Sequence, residues 1–137
     1  MTKLEEAKNI LTSLNVPLSQ QSEICCYTLL AMASISKKTK WQEAKNEWIR
    51  IHDVIAFIKE NYNVAYAENS RETFRKQALH HFRNAAFIED NDKATNSPNY
   101  RYRITNEMLT LLKSFNSDGW EEKRTAFLSR HNSLIDL

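Results

Sequence analysis

A chain of 137 residues has room for one domain that buries its own core, without a disulfide framework or a structural metal. One glycine and two prolines exclude a turn-rich all-β fold and point to helices joined by polar turns. Lys and Arg number 19 against 17 Asp and Glu, a formal charge of +2 that by itself names no partner. Cys25 and Cys26 are neighbours in an apolar run. Adjacent side chains diverge on a helix, so they read as buried free thiols in a reducing cytoplasm rather than as a disulfide or metal clip. Glu5 and Glu6 stand where a signal peptide would be apolar. The longest apolar run, Ile24 to Ala33, is about half a membrane span, so the expectation is a soluble, cytoplasmic protein with no membrane partner.

In chain order, Thr2 and Glu5 form a capping box before a first helix lined by Leu4, Ala7, Leu11 and Leu14, which Asn15 and Pro17 end. Ser19 or Ser22 caps a second helix to about Ala33, apolar on most sides and therefore central to the core. Thr39 with Gln42 predicts a short third helix from Trp41 that runs on through Trp48. From His52 or Asp53 a clear helix buries Val54, Ile55, Phe57 and Ile58 and closes at Asn61-Tyr62-Asn63.

About eight residues of turn lead to the stretch that organises the chain. Asn69 and Glu72 predict a capping box, and Phe74, Ala78, Phe82 and Ala85 then recur at helical spacing. The opposite arc of the wheel carries Thr73, Lys76, Gln77, His80 and Arg83. Two amphipathic helices joined by a turn, the second with a face of donors, is helix-turn-helix order. After Ala86 the period changes to two. Phe87-Ile88-Glu89 and Tyr100 to Ile104 read as strands, with turn chemistry from Asp90 to Asn99 between them. A hairpin after the donor-bearing helix is the layout of a winged helix. Thr105 or Asn106 starts a helix bearing Met108, Leu109, Leu111 and Leu112. Ser117-Asp118-Gly119 breaks it before a last helix from about Trp120 to His131.

The expected fold is therefore mainly α with one small β-hairpin: a winged helix-turn-helix with additional flanking helices. It is a single DNA-binding domain over residues 1–137. Within it a helical segment spans residues 1–50, a winged helix-turn-helix core 51–115 and a C-terminal helix 117–131. The stretch from Asn69 to Ile104 holds seven basic and four acidic residues and the remainder twelve and thirteen, so the positive excess sits in that one stretch.

The run Tyr66 to Phe82, with Asn96-Ser97-Pro98, Pro17 to Glu23, Leu29-Leu30-Ala31 and Trp41-Gln42-Glu43-Ala44, resembles the amino-terminal domain of the BsuBI/PstI-type restriction endonucleases. The resemblance implies the recognition half of a type II enzyme that cleaves palindromic duplex DNA, CTGCAG in the namesakes. It further implies a PD-(D/E)xK nuclease domain using Mg²⁺ beyond this chain, and a homodimer in the full-length enzyme. The alternative is a winged helix used for protein–protein contact or dimerisation, or a stand-alone regulator that binds DNA.

Within the 137 residues no catalytic set, metal set or cofactor site is expected. Glu43-Ala44-Lys45 and Glu121-Glu122-Lys123 match half of the nuclease motif but fall in helical pattern, and the side chains of His80 and His81 diverge on a helix. The candidate DNA contacts are Ser70, Arg71, Thr73, Lys76, Gln77 and His80 on the helix, and Lys93, Asn96, Arg101 and Arg103 on the hairpin. Gln77 has the amide that pairs with adenine N6 and N7. Ser70, Arg71 and Lys76 suit phosphates. Arg75 falls near the apolar stripe and reads as a buried ion-pair partner of an acid.

Overall fold

The fold, seen in a computed structural model that describes residues 1–93 and 97–135, is six helices and a two-stranded sheet. Helix α1 (Lys3–Ser13) starts as its sequence predicts: Thr2 Oγ1 accepts the Glu5 amide at 3.1 Å and the Glu5 carboxylate accepts the Thr2 amide at 2.9 Å. Asn15, in the left-handed region at φ 62°, turns the chain away. Helix α2 (Glu23–Met32) is capped by Ser22, and every residue from Cys25 to Met32 is buried. It lies at the centre, with α1 on one flank and α3 (Ile51–Tyr62) on another.

The predicted helix from Trp41 through Trp48 does not form. One 3-10 turn, Trp41–Glu43, is followed by extended chain to Arg50. The backbone donors there are spent on distant acceptors instead of the preceding helical turn. Lys45 donates to the Ala33 carbonyl at 3.0 Å and Ile49 to that of Tyr102 at 2.8 Å. Trp41 is pulled into the core against Phe115, 5.8 Å between ring centres, and its indole N–H reaches Glu6.

Helix α3 is entered through Arg50, whose amide donates to Asp53 Oδ2 at 2.9 Å, and it ends on Asn63 at φ 57°. The next helix, α4 (71–84), joins an α-helical turn Arg71–Phe74, a π turn Arg75–Leu79 and a last α-helical turn His80–Asn84. The predicted Asn69–Glu72 capping box is absent. The chain enters through a 3-10 turn, Glu68–Ser70, so Asn69 is not extended in the cap position, and Glu72 pairs with Arg75. The stripe itself holds: Phe74, Ala78, Leu79, Phe82 and Ala85 are buried. The π turn faces α2, where the Cys25 thiol donates to the Gln77 carbonyl at 3.1 Å.

Strands β1 (Ile88–Asp90) and β2 (Tyr102–Ile104) pair antiparallel with Ile88 opposite Ile104 and Asp90 opposite Tyr102. They start one and two residues later than their sequence pattern predicts. Thr105 caps α5 (Asn106–Lys113) by accepting the Met108 amide, and its own hydroxyl donates to the Ala86 carbonyl, which ties hairpin to helix. Helix α6 (Trp120–Ile135) runs beyond His131 and closes the core through Phe127, which meets Phe87 at 5.9 Å. Among the described residues no helix is long and apolar enough to cross a membrane, and no three His, Cys, Asp or Glu converge as metal ligands.

Candidate nucleic-acid interface

Helices α3 and α4 are consecutive, packed on each other and on α2, and joined by a turn that holds Tyr66 edge-on to Phe74 at 5.1 Å. Because Phe74, Ala78, Leu79 and Phe82 are all buried, the opposite side of α4 must face outward. Lys76, Gln77, His80 and Arg83 lie fully on that exposed side, and Thr73 and Ser70 sit at its half-buried edge. Among the described residues the Lys76 ammonium has no ion-pair partner and the Gln77 amide no hydrogen bond. His80 Nε2 lies 3.3 Å from the Asn84 amide, and its ring stands edge-on to His81. Arg83 is turned aside by Asp90 at 2.9 Å.

The hairpin residues are placed differently. Tyr100, Tyr102 and Ile104 point into the core, so Arg101 and Arg103 take the outer face, as the alternation predicts. Arg103 is held there by Glu89 at 2.6 Å and lies 4.5 Å over the ring of Trp48. Arg101 curls back to the carbonyls of Pro98 and Tyr100. Lys93 is exposed, and Asn96 lies outside the described residues.

Between the first turns of α4 and the hairpin tip is a recess that also takes in the start of α3. Arg71 lines it, as do Arg50 and Arg75, two arginines that the sequence pattern does not place among the contacts. Nothing in the linear pattern connects Arg50, at the cap of α3, with Arg71 twenty-one residues later. Arg75 does pair with an acid, Glu72, with Nη1 at 2.5 Å from the carboxylate, but the pair is not the buried one expected: it stands at the surface, the glutamate side chain 59% exposed. Burial first, and Tyr100 second, push the Tyr102 phenol above its ordinary range, while Arg75 pulls the other way. A neutral hydroxyl therefore faces that guanidinium.

Two packed helices, the second with its apolar side buried and its donors outward, define a helix-turn-helix domain. The chain belongs to the BsuBI/PstI restriction endonuclease HTH domain family, whose model matches residues 1–136. It is 37% identical over 139 residues to the type II restriction enzyme BsuBI of Bacillus subtilis, covering 98% of this chain and 44% of that one. It is 26% identical over 132 residues to the type II restriction enzyme AplI of Arthrospira platensis, covering 94% of this chain and 41% of the relative. The solved structure of the SdaI restriction endonuclease superposes with a TM-score of 0.90 at 23% identity, over 98% of this chain and 44% of that one, a likeness of fold. The chain thus spans less than half the length of the relatives it matches.

Proposed function

We propose that this domain binds duplex DNA sequence-specifically, with α4 in the major groove and the β1–β2 hairpin as the wing of a winged helix. The observation that carries the reading is the polar row of α4, where Lys76, Gln77 and His80 stand exposed opposite a wholly buried stripe. Gln77 reads a base edge, with His80 and Thr73 beside it. Ser70, Arg71 and Lys76 hold phosphates and set the register. Lys93, Asn96, Arg101 and Arg103 serve flanking backbone, a lesser share because Arg103 and Arg101 are already engaged within the protein.

In the whole protein the reading is a type II restriction enzyme in the cytoplasm, acting as a homodimer on a palindrome, with CTGCAG the first duplex to try. In this reading metal-dependent strand cleavage belongs to a PD-(D/E)xK nuclease domain that uses Mg²⁺, and this domain supplies the recognition.

The test is competition binding with cognate and scrambled duplexes. Gln77→Ala should cost about 1–3 kcal/mol on the preferred site and much less on the scrambled one. Lys76→Ala should weaken both alike. Equal losses on both duplexes for Gln77→Ala would mean that α4 positions the protein and that another element reads the sequence. Plasmid incubated with this domain and Mg²⁺ should stay intact; cutting would overturn the assignment of catalysis elsewhere.

A further inference from the structure

The recess beside α4 has a volume of about 220 Å³ and is lined by Arg50, Arg71 and Arg75, with Ser97, Pro98 and Tyr100 closing its other side. Three arginines, one from the cap of α3 and two from the first turns of α4, line it together, and the lining contains no carboxylate. Glu68 and Glu72 lie in the adjoining outer part of the groove. Two of the arginines are already touched by acids at the rim: Arg50 by Asp53 at 3.3 Å and Arg75 by Glu72 at 2.5 Å. Both are i,i+3 pairs with well-exposed carboxylates, the kind that holds little energy and gives way to a better acceptor. Arg71 has no ion pair among the described residues.

Arg75 is anchored at this place: its Nε is buried among protein atoms, and Glu72 engages Nη1 from the rim. A tetrahedral oxyanion with several acceptor oxygens can serve a guanidinium fork and a neighbouring guanidinium together, which a single rim carboxylate does not do here.

We propose that this recess is a phosphodiester site: Arg50, Arg71 and Arg75 clamp one backbone phosphate of the duplex next to the segment that α4 reads. The proposal rests on the reading of α4 as the DNA-contacting helix and extends it to α3 and the hairpin tip. It makes Arg75 and Arg50 contacts of register rather than of structure alone. The clamp joins α3, α4 and the hairpin on one phosphate, so docking α4 fixes the angle at which the wing meets the flanking backbone.

The experiment uses this chain and its Arg50→Gln, Arg71→Gln and Arg75→Gln variants, with melting curves to confirm folding. Arg50 and Arg71 are on the surface and keep the test open if Arg75→Gln fails to fold. Each folded variant should weaken duplex binding equally on cognate and scrambled DNA, and the three substitutions together should flatten the log–log salt slope by about 0.9, the share of one phosphate. Replacing single phosphates by methylphosphonate should reveal one position that weakens the wild-type chain more than it weakens Arg50→Gln. If Arg50→Gln binds duplex as tightly as the wild type and responds to every methylphosphonate as the wild type does, the clamp is overturned. Discrimination by Gln77→Ala in the same assay would then show that the α4 reading survives without it. If the wild-type chain binds no duplex, the α4 reading falls, and titration with inorganic phosphate decides the recess. Shifts confined to the Arg50, Arg71 and Arg75 side-chain N–H signals would keep it as a phosphate site, and their absence would overturn it.

Discussion

Ile49 and Tyr102 exchange both of their backbone hydrogen bonds, each 2.8 Å long, although they are separated by the whole helix-turn-helix. The bridge lays the strand-like segment before α3 alongside β2, and so holds the entry of the helix pair against the hairpin that follows it. Tyr102 is thereby paired on both edges, to Asp90 on one side and Ile49 on the other.

Ile49→Pro removes the donor half of that bridge and strands the Tyr102 carbonyl in a buried setting. It should cost about 1–3 kcal/mol in urea melts and speed amide exchange at Tyr102, with Ile49→Val as the control for side-chain volume. Equal stability of the two variants would mean that the bridge contributes nothing to the hold on the hairpin.

Phe82 and Lys76 occupy opposite sides of one helix. Phe82 is fully buried against Phe87, with ring centres 5.7 Å apart, so Phe82→Ala should destabilise by about 3–5 kcal/mol. Lys76→Ala should leave the melting curve nearly unchanged, because a single exposed charge contributes little. A lysine variant as costly as the phenylalanine one would put the phase of α4 in error.

Cys25 and Cys26 are free and buried, bonded to the carbonyls of Gln77 and Gln21. Burial pushes both thiols up, Cys26 to about 11 with some help from its neighbour Cys25. Since the thiolate is the reactive form, a chromogenic disulfide reagent at pH 8 should find no thiol in the native protein and both after denaturation. Fast labelling of the native chain would mean that α2 opens away from the π turn of α4.

For Asp53 burial works to raise the carboxyl, but the amide and guanidinium of Arg50 together outweigh it and the pKa ends below its ordinary value. A folded pKa below the unfolded one means the unfolded chain takes the proton more readily. The stabilisation is then present above the unfolded value of about 3.9 and is lost as pH falls through the lower folded value. Asp53→Asn should therefore melt below wild type at pH 6, and the two should converge towards pH 3. A gap that stays constant over that range would show that the carboxylate charge is not what caps α3.

The one-dimensional pattern was sufficient wherever the deciding interaction is local or periodic. Thr2 with Glu5 caps its helix as read, and Ser22 and Thr105 are each one of the two caps the pattern offered, because a side chain three residues away is always within reach. The buried stripe of α4, and with it the outward row Lys76, Gln77 and His80, follows from helical spacing alone. The alternation from Tyr100 to Ile104 likewise decides which side of the hairpin is core. Tertiary structure decided the cases in which a backbone or side-chain group had two possible partners. Lys45 and Ile49 gave their N–H groups to Ala33 and Tyr102, and a predicted helix became an extended segment. Asn69 lost its cap to a 3-10 turn, and Glu72 went to Arg75. The convergence of Arg50, Arg71 and Arg75 is of the same kind, because a recess exists only once α3, α4 and the hairpin tip are brought together. Local propensity cannot weigh a partner that is distant in sequence, and at each of these positions the distant partner won.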